Sequence, residues 1–208
     1  MTKMKTIFAV IFLVLLIPVL LAAPESEAKV YRGKYANNTK WSYDTKTKTV
    51  IIECRGELPD DGNGSAGWRD YYLKAKKVIF KKGITSIGAG AFDNFQKLEE
   101  VVLPEGLKAI KASAFFSCYR LKKINVPKTL RTIASDVFIA TKIESFSLRR
   151  VKNIGNMCFL DSKIKEVYLS KDCRTSSLVF WGSDDLKKVT IEKGVKKISY
   201  GMFCDTAL

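Results

Sequence analysis

A solenoid of short stacked coils is the fold this sequence predicts, and three observations predict it. The pattern aliphatic-x-x-aliphatic-x-aliphatic recurs five times, as Leu98-Val101-Leu103, Leu121-Ile124-Val126, Ile143-Phe146-Leu148, Ile164-Val167-Leu169 and Leu186-Val189-Ile191, with starts 23, 22, 21 and 22 residues apart. A second ladder runs between these motifs: Phe92, Phe115, Phe138, Phe159, Phe180 and Phe203, spaced by 23, 23, 21, 21 and 23. Third, an isoleucine lies five residues before most of these phenylalanines, at Ile87, Ile110, Ile133, Ile154 and Ile198, and the fifth repeat alone has Thr175 there. A fixed period of this length means that each unit buries its apolar side only by stacking on its neighbours.

Within one repeat the order is aliphatic (Ile84, Leu107, Leu130, Val151 or Val195), isoleucine, Phe, Leu, then two alternating strand residues. Successive strand residues face opposite sides, so Val101 and Leu103 point inward while Glu100, Val102 and Pro104 point outward. The alternation lasts about four residues, which predicts short parallel strands on an inner face. The Ile-to-Phe segment is too short for a full helix. A turn with one short helical or 3₁₀ turn is expected around each Phe, with Gly88 and Gly155 giving conformational freedom after their isoleucines. About six large apolar side chains per repeat, each contributing roughly 1.5–3 kcal/mol gross, offset the backbone entropy of ordering it, so one isolated repeat does not fold.

Residues 1–28 read as a secretory signal peptide: Lys3 and Lys5, an apolar run from Ile7 to Ala23, then an exit with Ser26 and Ala28 at the −3 and −1 sites. A retained anchor is the competing reading, but the run is at the short edge of a bilayer span and Pro18 interrupts it. No Cys follows the run, so a lipid anchor is not indicated, and no stable membrane span is expected after cleavage. The remaining 180 residues suffice for one core. Residues 29–76 lack the period. Trp41-Ser42-Tyr43 and Val50-Ile51-Ile52 predict a hairpin, Pro59 to Ser65 a loop, and Gly67 to Ala75 a short amphipathic helix, which together would form an N-terminal hairpin-plus-helix cap. Lys77-Val78-Ile79-Phe80 is in phase with Val101 and Leu103 and is taken as the first rung, so the repeats occupy 77–208; the last is incomplete, because Leu208 falls where a strand motif begins.

At residues 87–104 the sequence Ile87-Gly88-Ala89-Gly90-Ala91-Phe92, then Leu98 and Glu100-Val101-Val102-Leu103-Pro104, resembles the BspA-type leucine-rich repeats. Ala112-Ser113-Ala114-Phe115-Phe116-Ser117-Cys118, with Leu121 and Ile124-Asn125-Val126-Pro127, is closer still, and the resemblance extends over 29–208. It implies a right-handed leucine-rich repeat solenoid, secretion or display at the cell surface, and adhesion to matrix proteins, other cells or glycans. Departures at Thr175 and Ala75 place the expected irregularity around Asp172–Ser177.

The chain has no histidine, which removes the usual general base, the usual zinc ligand and every Ser-His or Cys-His nucleophile. Glu99-Glu100 lie on a strand and face opposite sides, a poor glycosidase pair, and Asp60-Asp61-Gly62-Asn63-Gly64 lacks the alternating ligands of a calcium loop. No catalytic residue, cofactor or metal is assigned, and the chain is read as a non-enzyme. Five cysteines (Cys54, Cys118, Cys158, Cys173, Cys204) differ in repeat phase and read as free thiols, with Cys158–Cys173 the one pairing worth considering.

What remains is surface. The concave strand face offers Lys77, Lys123, Asn125, Arg149, Tyr168 and Lys188 as partner-binding candidates, and an extracellular protein is the expected partner. The alternatives are an acidic glycan drawn by the net charge of +15, which trimming residues 1–28 leaves unchanged, and a structural spacer in a longer surface protein. No nucleic acid partner is expected. Lysine pairs recur with the period itself, at Lys81-Lys82, Lys122-Lys123, Lys187-Lys188 and Lys196-Lys197, which also suits a merely solvated coat.

Overall fold

The computed structural model describes residues 27–62 and 64–208, so the signal peptide expected over 1–28 lies almost wholly outside the described residues. No helix among the described residues is long and apolar enough to cross a membrane. In chain order the strands are β1 (Val30–Tyr35), β2 (Thr39–Asp44), β3 (Thr49–Glu53), β4 (Gly56–Glu57), β5 (Lys77–Phe80), β6 (Ile84–Ile87) and β7 (Glu100–Val102). They continue as β8 (Ala109–Ile110), β9 (Lys123–Ile124), β10 (Thr132–Ile133), β11 (Asn153–Ile154), β12 (Glu166–Leu169), β13 (Arg174–Thr175) and β14 (Lys188–Ile191).

Strands of successive coils pair in parallel on two faces. The inner face carries β3, β5, β7 and β9, and then, as a separate pair, β12 and β14; the second face carries β4, β6, β8, β10, β11 and β13. Registers follow the sequence period: Val78 opposes Val101, which opposes Ile124, and Ile87, Ile110, Ile133 and Ile154 lie abreast. Between the coils most inward aliphatics of the period are buried, among them Ile84, Leu98, Leu121, Ile143, Ile164 and Leu186, while Ile124 and Val126 are half-buried.

The phenylalanines form one column. Ring centroids from Phe92 to Phe203 follow one another at 5.9, 5.8, 5.2, 5.5 and 5.7 Å. Parallel strands lie about 4.8 Å apart, and the rings, with interplanar angles of 18, 2, 27, 14 and 4°, stack with an offset, as aromatic pairs prefer.

The turns that carry the column are not helical. In each coil the residues two before and two after the Phe have left-handed backbones: Gly90 and Asn94, Ser113 and Ser117, Asp136 and Ala140, Met157 and Asp161, Leu178 and Gly182, Gly201 and Asp205. Flanking the Phe with left-handed residues aims alternate N–H groups at the following coil. Gly90, Phe92 and Asn94 donate to the Ala112, Ala114 and Phe116 carbonyls at 3.0, 2.9 and 2.8 Å, and the same triplet recurs at each junction. A left-handed Leu178 or Met157 costs roughly 1–2 kcal/mol, and the three bonds per junction hold it in place. The expected short helical turn would aim its N–H groups along its own axis and leave the next coil's carbonyls without donors.

A polar row, not legible in the sequence pattern, runs beside the column. Three residues after each Phe stand Phe95, Cys118, Thr141, Ser162, Ser183 and Thr206. The Cys118 Sγ donates to the Phe92 carbonyl at 3.2 Å, and Ser183 Oγ donates to Phe159 O at 2.9 Å. Thr141 and Thr206 donate to the Phe carbonyls of their own coils at 3.0 and 2.8 Å. These hydroxyls and the thiol give the Phe carbonyls acceptor bonds away from water; the Phe159 carbonyl also accepts from Ser162 N at 3.2 Å.

The N-terminal expectation is corrected in two respects. The ladder begins one coil before Lys77–Phe80, because β3 pairs in parallel with β5 (Val50 opposite Val78, Ile52 opposite Phe80) and β4 with β6. The expected hairpin forms, with Trp41 opposite Ile52 and Tyr43 opposite Val50, but as part of an antiparallel meander, β1-β2-β3, whose last strand belongs to the solenoid. With a 3₁₀ segment, Gly67–Tyr71, where the helix was expected, a separate hairpin-plus-helix cap is not formed. The reason is Trp68. It is fully buried, heads the aromatic column 5.8 Å from Phe92, and its Nε1 donates to the Ala91 carbonyl at 2.8 Å, replacing the backbone donor that an ordinary coil supplies. Asp61 N fills the neighbouring position on the Ala89 carbonyl at 2.8 Å. An extended amphipathic helix would turn Trp68 away from both partners.

Gly155 keeps its place for a reason other than the one the sequence suggests. Its φ is not left-handed, but a Cβ there would lie 2.3 Å from Ser135 N of the preceding coil. Close approach of two backbones, not turn geometry, requires the glycine.

Phe138→Ala is expected to lower stability by about 3–5 kcal/mol, since the ring is buried mid-column and its neighbours cannot collapse into the gap. Phe203→Ala, at a half-buried end position, should cost clearly less. Urea denaturation of both variants measures the difference.

Candidate functional site

The inner face is the broadest strand surface, and its regularity fails at one coil. The third motif, Ile143-Phe146-Leu148, is buried as expected, yet residues 145–148 form no strand. Ser145, Phe146 and Ser147 make no backbone hydrogen bond to either adjoining coil among the described residues, whereas Lys142 N and Glu144 O, just before them, still bond to Leu121 and Lys165. The expected rung is therefore present in its packing and absent from its pairing.

Two side chains account for this. Phe146 stands where the other coils carry Val78, Val101, Ile124, Val167 and Val189, and its ring lies 5.3 Å from both Phe138 and Phe159. A ring that large, wedged between two column members, holds its backbone off the ladder. On the other side of the break, Asn125 ends the β9 pairing early: its Oδ1 accepts from Leu103 N at 2.7 Å and its Nδ2 donates to Leu103 O at 2.8 Å. The side-chain amide takes the bonds that a third paired residue of β9 would have made.

The break opens a shallow depression, lined by Ile124, Val126, the 145–149 segment, Glu166, Tyr168, Lys188 and Thr190. Arg149 closes one side with its guanidinium carbon 3.9 Å from the centre of the Tyr168 ring. A guanidinium over an aromatic face is held by the ring quadrupole while its N–H edges stay free to bond. A second depression, lined by Glu100, Val102, Lys123 and Asn125, adjoins it across Ile124 and Ser145.

The six candidate residues separate into three groups. Arg149, Tyr168 and Lys188 come together at the break, and Lys123 and Asn125 line its neighbour. Lys77 lies two coils earlier, ion-paired to Glu100 at 2.8 Å. Lys188 is likewise opposed by Glu166 at 3.5 Å, and Asn125 is engaged in the ladder. Arg149, Tyr168 and Lys123 are the members most available to a partner. Strand alternation places Glu166 and Thr190 on the same face as Tyr168 and Lys188, and Phe146 is the part of the site that sequence reasoning missed. Phe146 did leave a signal, as the aromatic in a column of β-branched residues.

The other side chains weighed for chemistry serve the scaffold. Glu99 lies 3.6 and 3.8 Å from Lys76 and Lys122. The Asp60 carboxylate accepts from Ala89 N at 3.0 Å and from Lys111 at 3.2 Å, which holds it below the usual carboxylate range. Asp61 is buried, accepts from Ala66 N at 2.9 Å and lies 3.6 Å from the Arg69 guanidinium. All five cysteines are free. Burial pushes the Cys118 thiol up to about 12 and that of Cys173 to about 11, and raises Cys158 well above its ordinary value for the same reason.

A family model described as the BspA type leucine rich repeat region (6 copies) matches residues 71–177. Among solved structures, a leucine-rich repeat protein from Eubacterium ventriosum is similar at a TM-score of 0.71 and 20% identity, covering 82% of this chain and 46% of that one. One from Bacteroides ovatus is similar at a TM-score of 0.56 and 16% identity, covering 90% and 57%. At these identities the likeness establishes the fold, and the chain spans about half the length of the structures it matches. No curated protein matches it.

Two measurements check this description. Amide hydrogen exchange should be faster at Phe146 and Ser147 than at Val101 and Val167, because only the latter donate within a ladder; equal protection would mean that the rung is paired. Thiol labelling near pH 8 should modify exposed Cys204 in the native protein and reach Cys118 and Cys158 only after denaturation, since a buried thiol with a raised pKa supplies almost no thiolate.

Proposed function

Because the chain belongs to the BspA-type leucine-rich repeat family, we propose that it is a secreted or cell-surface interaction module, without catalytic chemistry, that binds an extracellular protein through its inner strand face. The observation that carries this reading is the Arg149–Tyr168 pair beside the unpaired segment Ser145–Ser147. Arginine and tyrosine are the residue types that dominate the energetics of protein interfaces, where they occupy partly enclosed positions ringed by less important contacts. The depression supplies such a ring: Ile124 and Val126 on one side, Thr190 and the aliphatic stem of Lys188 on the other.

The surrounding charges favour a shaped contact over general attraction. Lys77 against Glu100 and Lys188 against Glu166 leave the face alternating in sign along its length. Such a pattern sets register and excludes wrong partners more than it adds affinity. A partner that presents a carboxylate to Arg149 and an apolar side chain to the Ile124 side satisfies both halves of the depression.

The test is binding of the purified chain to a panel of immobilised extracellular matrix proteins, followed by the variants Arg149→Ala, Tyr168→Ala and Arg149→Lys on whichever protein is captured. Each alanine variant should weaken binding about tenfold or more, the loss expected at a central anchor. Arg149→Lys should not restore it, because an ammonium lacks the planar fork that stacks and bonds at once. Raising the salt concentration should change the affinity only modestly. Wild-type affinity in both alanine variants would remove the inner face as the binding surface.

A further inference from the structure

The ion pairs of this molecule are unevenly distributed. Those in the repeats join one coil to the next on and beside the inner strands, as in Lys77–Glu100, Lys76–Glu99, Lys165–Glu144, Lys188–Glu166 and Lys163–Asp185. Lys111 pairs with Glu57 and Asp60, and Arg69 with Asp61 and Asp93. No ion pair among the described residues engages Lys108, Arg131, Lys152 or Arg174.

These four cations occupy consecutive coils at the entrance to the second face. Their backbones are bonded in series: Arg131 N donates to Lys108 O at 2.9 Å, Lys152 N to Arg131 O at 2.7 Å, and Arg174 N to Lys152 O at 2.8 Å. Lys108, Arg131 and Lys152 share one register position, so coils about 4.8 Å apart set three positive groups in a row roughly 10 Å long, and Arg174, which lies opposite Asn153, carries the positive charge on to the next coil. Lys108, Lys152 and Arg174 are exposed, and half-buried Arg131 is steadied by donating Nη1 to the Lys128 and Leu130 carbonyls at 2.8 and 2.9 Å. At the later coils the row widens into a shallow depression where Lys152, Lys171 and Arg174 converge beside Asn153, with Asp172 its one carboxylate. Glu105 and Glu192, the carboxylates touching its flanks, accept the backbone N–H groups of Lys128 and Lys171 at 3.4 and 3.0 Å.

We propose that this row is a binding site for a linear sulfated polysaccharide, separate from the inner-face site. A file of unneutralised cations at regular spacing complements a chain with an anionic group on each successive unit and lowers its own repulsion when that chain lies along it. The outward neighbours Ala109, Thr132 and Asn153 are small or polar, so the row offers neither the aromatic platforms on which nucleic-acid bases stack nor the apolar stripe that enters a lipid surface. The polysaccharide needs only the cations.

The experiment measures binding of the full chain to heparin oligosaccharides at two salt concentrations, for the wild type and for two double variants of equal net charge. Lys152→Ala with Arg174→Ala removes two members of the row. Lys40→Ala with Lys46→Ala removes two exposed cations from the N-terminal strands and their turn. The first pair should lose about tenfold or more in affinity and the second less than about twofold, and wild-type binding should fall steeply as salt screens the charges. Equal losses in both would mean that net charge alone attracts the polysaccharide, and the row would not be a site. Salt-insensitive binding, or equally tight binding to a single-stranded oligonucleotide or to anionic lipid vesicles, would also overturn the proposal. Unchanged thermal melts certify that the variants fold, with Lys152→Gln and Arg174→Gln as replacements if they do not. Tyr168→Ala should leave heparin binding intact, so failure of this site and failure of the inner-face reading are separable results.

Discussion

Stacking of backbone on backbone in parallel is the constraint that the rest of the molecule obeys. On the inner face, on the second face and in the turns around each Phe, the amides of one coil find their acceptors on the adjoining coil. Buried backbone groups left unpaired would cost as much as lost hydrogen bonds, so the spacing between coils is fixed before any side chain is considered. Side chains then fit that spacing. Rings in the phenylalanine column slide against one another to sit 5.2–5.9 Å apart, and non-glycine residues as bulky as Met157 and Leu178 accept left-handed backbones to keep the turn bonds. The N-terminal coil shows how strict the constraint is: lacking the ordinary turn, it meets the carbonyls of the next coil with the indole N–H of Trp68 and the backbone of Asp61.

The candidate site arises where that constraint is locally broken. A column of β-branched residues keeps the inner strands close, and Phe146 interrupts it with a ring that needs the space between Phe138 and Phe159. The ring stays buried, so the core loses nothing, while the backbone of residues 145–147 is left outside the ladder. Function placed at such a point costs the scaffold one rung of pairing. In return it gains a recess bordered by the stacked Arg149 and Tyr168.

Charge is organised by the same geometry. A residue on one coil faces its equivalent on the next, so the sign at a repeat position decides whether neighbours attract or repel. Where acid and base alternate, as at Lys77, Glu100 and Lys123, the face is nearly balanced. Where the same position is basic in coil after coil, as at Lys108, Arg131 and Lys152, the charges accumulate. A composition of +15 therefore becomes two surfaces of different character instead of one diffuse coat.

Much of this was legible along the chain. Period, inward residues and phenylalanine column follow from the spacing of Phe92 to Phe203, because a solenoid repeats the same local burial problem and the same residue types answer it. The irregularity expected near Asp172–Ser177 was only half right: the second-face ladder continues through Thr175 and stops there, where Ser199 Oγ donates to the Thr175 carbonyl at 2.6 Å. Trp68, which lies 24 residues before Phe92, was the sign of an earlier coil, but strand and turn spacing differ there and hid it. Local order along the chain thus determined that coils stack, and which side chains enter the core. Only the tertiary structure decided which coil fails to pair, which lysines are neutralised and which amide is taken up in the ladder. Those outcomes depend on contacts between residues 21 to 24 positions apart, and an uneven period leaves that register undefined until the coils are in place.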